Sequence, residues 1–179
     1  MLGRADERAA ARVHSVEDAR RLARRRLPSV VFDYVDGGAD DEVTMRRNEA
    51  AFAQVTFRPR LGGGRLRPDL ETSVLGNPVA LPVLLAPCGL VRLVHPDGAG
   101  GVARAASARR TVSVVSTVAG SPVEEVVAAA PDASVWFQLY AAGGVEEADK
   151  LCDRAKNAGI DVLVVTLDTP TLGLSLIHI

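Results

Sequence analysis

Four apolar runs in this chain each end in residues of a special kind. Val83-Leu84-Leu85-Ala86 runs into Pro87-Cys88-Gly89, and Val112-Ser113-Val114-Val115 runs into Ser116-Thr117. Val135-Trp136-Phe137 continues into Gln138-Leu139-Tyr140, and Asp161-Val162-Leu163-Val164-Val165 into Thr166-Leu167-Asp168-Thr169-Pro170. Small residues and backbone groups at the first end suit close approach of a flat ring. A Ser hydroxyl, a Gln amide and a Thr hydroxyl supply donors and acceptors for the edge of such a ring. Polar strand ends also occur as plain caps to solvent, so both readings stand on these residues alone.

The elements between the runs must bring these ends together. A helical pattern separates each run from the next: Asp97 to Arg109, a helix opened by Ser121-Pro122-Val123-Glu124 and reaching about Ala130, and one carrying Val145, Ala148, Leu151, Cys152 and Ala155 on one face. Ser121 to Glu124 reads as a capping box with Pro at the first helical position, and Gly159 as a residue just past a helix end. Strands alternating with helices make βαβ units of a parallel sheet, and right-handed crossovers allow an open doubly wound sheet or a closed barrel. Val83 to Ala86 is apolar throughout, as for a strand buried on both faces. In a barrel all four strand ends share one mouth. The donors and acceptors there match the hydrogen-bonding edge of a flavin pyrimidine.

Upstream, Ser15-Val16-Glu17-Asp18 reads as a capping box for a helix with Val16, Ala19, Leu22 and Ala23 on one face. Pro28 fits the first turn of a short helix from Ser29 to Val35 that stops at Gly37-Gly38, and Asp40-Asp41-Glu42 opens a third helix to about Gln54. Residues 15–55 thus form a helical cap, preceded by a disordered stretch over 1–14. Residues 56–82 form a lid in which Thr72 to Leu75 and Val79 to Leu81 flank a turn at Gly76-Asn77-Pro78. The half barrel occupies 83–173.

Composition excludes several classes. Lys+Arg 21 against Asp+Glu 22 leaves no basic excess for nucleic acid, and the arginines at 20, 21, 24, 25 and 26 read as a solvated helix face. Cys88 and Cys152 match no metal spacing, so no metal is expected and a reduced cytoplasmic protein is the default. Met1 to His14 lacks an apolar core, so no signal peptide is visible, and the longest apolar run is too short to span a bilayer. Gly98-Ala99-Gly100-Gly101-Val102-Ala103 matches a dinucleotide fingerprint, but it does not directly follow a strand and no acidic residue ends the next one. Close packing of a helix by small residues explains it better.

Several ordered motifs resemble one family. Phe32-Asp33-Tyr34-Val35-Asp36-Gly37-Gly38-Ala39, Asn48 through Phe52, Phe57-Arg58-Pro59-Arg60, Ala86-Pro87, His95-Pro96-Asp97-Gly98, Ala103-Arg104-Ala105-Ala106, Phe137-Gln138-Leu139-Tyr140 and Thr166 through Gly173 are similar to the FMN-dependent α-hydroxy-acid dehydrogenases and oxidases. The resemblance implies an α/β fold: the first half, about four βα units, of a TIM barrel preceded by the helical cap and a short hairpin. It implies FMN at the barrel mouth, with Pro87, Cys88 and Gly89 along the flavin and Ser116, Gln138 and Thr166 bonded to its ring. Tyr34 and Tyr140 would bind the substrate, and Asp168 would orient and charge-stabilise a catalytic histidine. The implied reaction is oxidation of a small L-2-hydroxy acid, lactate-like or glycolate-like, to the 2-oxo acid. Electrons would pass on to oxygen, a quinone or a cytochrome. The full-length parent would be a homo-oligomer in the cytoplasm, with peripheral membrane attachment compatible.

Without the resemblance, Tyr34 is a packing residue, Cys88 a small filler and Asp168 a turn cap. The pattern breaks at Leu174-Ser175-Leu176-Ile177-His178-Ile179, where the family has a basic pair. These six residues are expected to be foreign to the family sequence, as at a truncation, and His178 cannot stand in for the family's base. The chain would then be an incomplete, inactive fragment. The alternatives are a non-catalytic fragment outright or another phosphate-binding barrel enzyme.

Overall fold

The structure, a computed structural model, describes residues 11–59, 61–62, 67–141 and 143–168. Of the expected disordered N-terminus only 11–14 are described, and Thr169 to Gly173 and the tail 174–179 lie outside the described residues. The described residues fall into two compact units, one through Pro59 and the other within Arg60–Pro170.

The first unit is helical. Helix α1 spans Val16–Arg26, α2 Ser29–Asp36 and α3 Val43–Gln54. The Ser15 hydroxyl accepts from the Asp18 N–H at 3.1 Å, so the expected Ser15 cap forms, and the Asp18 carboxylate reaches back to accept from the His14 N–H at 3.1 Å, one residue before the cap. Pro28 caps α2 from one position outside the helix rather than filling its first turn. The Arg20 guanidinium donates to Asp36 at 2.8 Å and Arg24 lies over the Phe32 ring, 5.6 Å from its centroid, tying α1 to α2.

The second unit opens with a hairpin, β1 (Thr72–Val74) and β2 (Asn77–Val79). The turn is two residues, Leu75-Gly76, both at positive φ (49° and 79°). This corrects the expected turn at Gly76-Asn77-Pro78: Asn77 and Pro78 are in the strand, opposite Val74 and Ser73. Two left-handed residues match the twist of the flanking strands, and that geometry fixes the register.

Then come α4 (Val91–Val94), α5 (Gly98–Ala108), β3 (Val112–Ser116), α6 (Val123–Ala129), β4 (Ser134–Tyr140), α7 (Val145–Asn157) and β5 (Leu163–Thr166). Strands β3, β4 and β5 are parallel and adjacent in that order. Sequence reading does not anticipate α4. It also overstates the first strand: Val83 to Ala86 joins β3 by one parallel bridge, Leu85 to Ser113, and Val83 is 53% exposed. The Leu85 N–H bonds the Val112 carbonyl and its carbonyl accepts from the Val114 N–H, both at 2.9 Å. The next rung would need an N–H from residue 87, which is proline. The Val83 carbonyl is taken by the Thr111 hydroxyl.

Alternation splits the sheet into two faces. Val115 packs under Ala99 and Ala103 of α5 and Val126 of α6, while Phe137 and Leu139 pack with Val123, Ala155 and Ile160. Val112, Val114 and Trp136 point the other way, into a cluster with Val79 of the hairpin, Leu84, Val162 and Val164. The hairpin therefore closes the end of this inner face where β3 starts, and the Ala80 N–H bonds the Arg110 carbonyl there at 2.9 Å. The glycine-rich start of α5 does pack closely: a Cβ on Gly100 would stand 3.1 Å from Ala129 Cβ of α6. The box expected at Ser121 does not form, because α6 starts at Val123 with Pro122 as its cap and no side-chain bond.

Candidate functional site

The candidate site lies where the inner face runs out of apolar residues. Ser116 pairs with Gln138 and Tyr140 with Thr166 in the parallel register. All four continue the rows that hold Val112, Val114, Trp136 and Val164, so their side chains leave the inner face at the C-terminal strand ends.

Three of them form one hydrogen-bonded row across three strands. The Ser116 hydroxyl donates to Gln138 Oε1 at 2.9 Å, and Gln138 Nε2 donates to Thr166 Oγ1 at 2.9 Å. The Thr117 N–H, which can only donate, faces the same Oε1 at 3.3 Å, and this fixes which end of the amide is oxygen. Ser116 Oγ in turn accepts from the Val118 N–H at 3.2 Å. Gln138 is 2% exposed and Ser116 5%, while Thr166 and Tyr140 are half-buried. A buried amide bonded through both its oxygen and its nitrogen holds its orientation, since releasing a partner costs about 1–3 kcal/mol.

The loop from the first run reaches the same place. The Leu90 N–H donates to the Val118 carbonyl at 2.8 Å, and a Cβ on Gly89 would stand 3.1 Å from Val118 Cγ2. Gly89 thus sits against the turn that follows Ser116 and Thr117. Cys88 and Gly89 are exposed and Pro87 is half-buried. Asp168, two residues beyond Thr166, is exposed. Tyr34 is in α2, in the other unit.

Thr117, which the sequence gives no role, also binds at the rim. Its N–H bonds the Gln138 carbonyl at 3.0 Å, and its hydroxyl donates to the same carbonyl at 2.6 Å and accepts from the Tyr140 N–H at 3.1 Å. Two hydroxyl residues in succession at a strand end were the available signal.

The donor set can be tested against a flavin. Gln138 Nε2 has a second proton, Thr166 keeps its own hydroxyl proton, and Ser116 Oγ has a lone pair beyond its bond to Val118. Donors and an acceptor in a row fit a ring edge that alternates carbonyls with an N–H, so these residues fit FMN. Among the described residues no cluster of His, Cys, Asp and Glu could hold a metal.

Comparison with known proteins gives the family. Residues 23–176 match the family model described as FMN-dependent dehydrogenase. Glycolate oxidase 5 of Oryza sativa subsp. japonica is 38% identical over 161 residues, which cover 90% of this chain and 43% of that protein. A soluble mutant of the membrane-associated (S)-mandelate dehydrogenase of Pseudomonas putida superposes with a TM-score of 0.85 at 35% identity, over 90% of this chain and 46% of that one. A mandelate oxidase bound to (S)-4-hydroxymandelic acid gives 0.85 at 33% identity, over 92% and 46%. The fold is part of an α/β barrel with its polar rim at the strand ends. The chain belongs to the FMN-dependent dehydrogenase family and spans less than half the length of the relatives it matches. Among the described residues no helix is long and apolar enough to cross a membrane.

Proposed function

We propose that this chain supplies the flavin-facing wall and part of the substrate site of an enzyme that oxidises a small L-2-hydroxy acid to the 2-oxo acid. The observation that carries this reading is the continuous row Ser116–Gln138–Thr166 across three adjacent strand ends. Relatives named for glycolate and mandelate chemistry support the substrate class. FMN, when bound, supplies the acceptor for the hydride equivalent leaving the substrate Cα.

The residues divide the work by position. Gln138 and Thr166 would offer protons to the ring edge and Ser116 would accept from it. Pro87, Cys88 and Gly89 would lie along the ring through their backbone. Tyr140, half-buried beside Thr166, would bond the substrate hydroxyl or carboxylate, and the family resemblance gives Tyr34 the role of carboxylate binder. Asp168 would orient and charge-stabilise a histidine that takes the hydroxyl proton. That histidine is not among the described residues at the rim: His14 precedes α1, and His95 follows α4 and is bonded through Nδ1 to the Asp97 N–H. With no base among the described rim residues, the chain alone is expected to bind flavin without turning over substrate.

The test titrates FMN with the chain and follows flavin fluorescence, then adds glycolate or L-lactate anaerobically. Quenching without bleaching is expected. Fluorescence that never changes up to the solubility limit rejects the flavin site, and bleaching rejects the inactive reading.

A further inference from the structure

We infer that Thr117 is a positioning residue: its hydroxyl replaces a missing backbone acceptor of the sheet and thereby sets the aim of Gln138 and Tyr140. The inference rests on the flavin reading for its functional part and on geometry alone for its structural part.

The regular parallel ladder dictates where the bond should be. With Ser116 opposite Gln138, the Thr117 N–H bonds the Gln138 carbonyl, as it does at 3.0 Å. The next rung would run from the Tyr140 N–H to the Thr117 carbonyl. Strand β3 has already ended at Ser116, and its backbone turns away through Thr117 and Val118. The Tyr140 N–H bonds Thr117 Oγ1 instead, at 3.1 Å. The same hydroxyl points its proton at the Gln138 carbonyl, 2.6 Å away.

One side chain thus adds a rung that the backbone no longer provides. It binds β4 at the two residues whose side chains leave the inner face toward the rim. Without it, the Tyr140 N–H would lose its partner at the point where β4 loses its β3 neighbour. The strand end would fray, and Tyr140 would lose its fixed direction. The branched methyl alone cannot do this; the hydroxyl is required, and serine carries it too.

The test uses the full chain with two variants, Thr117→Val and Thr117→Ser, and two readouts. The first is amide hydrogen exchange at Tyr140. The second is FMN affinity from flavin fluorescence. Thr117→Val should speed Tyr140 exchange about tenfold or more, as for loss of one hydrogen bond, while Val114 and Phe137 keep their protection. It should weaken FMN binding by a similar factor. Thr117→Ser should restore both to near the starting values. An unprotected Tyr140 amide in the unsubstituted chain overturns the inference, as does a serine variant that behaves like valine, or a valine variant with unchanged exchange and unchanged FMN affinity. If the unsubstituted chain fails to bind FMN, the flavin reading falls with the affinity arm. The exchange arm still decides whether Thr117 holds the rung; where the valine variant fails to fold, Tyr140 protection in the unsubstituted chain and its retention in Thr117→Ser decide instead.

Discussion

Gln138 is the residue on which the rim depends. It is uncharged, buried, and bonded at both ends of its amide. Gln138→Leu keeps most of the volume but leaves the Ser116 and Thr166 hydroxyls to find new partners. We expect it to destabilise the chain by about 1–3 kcal/mol, read as a lower urea midpoint at unchanged slope. A shift within about 0.5 kcal/mol, ordinary for a surface site, would show that the row does not hold together as drawn. Adding Ser116→Ala to this variant should cost less than it does alone, because its main partner has already gone. Ser116, Gln138 and Thr166 were legible because a polar residue at the end of an apolar β-run is conspicuous. Thr117 was not, since a hydroxyl bonded to backbone leaves no periodic trace. Tyr34 and Asp168 owe their expected roles to resemblance alone.

At the scale of elements, helix ends and links are the sensitive points. Helix α7 ends in a Schellman motif: the Gly159 N–H bonds the Lys156 carbonyl at 2.9 Å and the Ile160 N–H bonds that of Ala155 at 3.0 Å. Gly159 has φ +84° and nothing within 4 Å of an added Cβ. Gly159→Ala should therefore cost only the left-handed backbone term, about 1–2 kcal/mol by thermal or urea unfolding. A cost near zero would mean that the helix end rearranges. Arg154 of α7 holds Glu124 of α6 by two bonds of 2.9 Å. The hydrogen bond from Arg154, then that from the Glu124 backbone, lowers the Glu124 carboxyl below its ordinary 4.5. A lowered folded value means the link stabilises above pH 4.5 and is lost as pH falls through that lower value. Glu124→Gln should flatten this acid limb of a stability-pH curve, with little difference from the parent in strong salt because both groups are exposed. An unchanged limb at low salt would remove the link from the account. Helix existence was legible here from period and caps. Two of the details that failed were decided by single imino groups: Pro87 ends the ladder of the first run, and Pro122 takes the cap position that Ser121 was expected to hold.

For the whole molecule, the open side of the sheet matters most. The chain superposes over 90% of its length on a mandelate dehydrogenase at a TM-score of 0.85 while covering 46% of that chain. Strand β5 pairs only with β4 among the described residues. Its outer face carries Leu163, Val165 and, just beyond, Leu167 at 43%, 50% and 86% exposure. On β4 the equivalent residues Phe137 and Leu139 are covered, with Ala155 of α7 in the same cluster. An apolar stripe beside an unpaired strand edge is a template for association, since pairing satisfies backbone groups and buries the stripe together. The chain should therefore self-associate as its concentration rises, which sedimentation velocity over a dilution series would detect. Val165→Lys puts a charge on that stripe at a half-exposed position, where little packing is lost. It should reduce association while leaving the melting temperature of the dilute protein within a few degrees. A parent chain that stays monomeric throughout, or a lysine variant that associates equally well, would show that the β5 face does not drive contact.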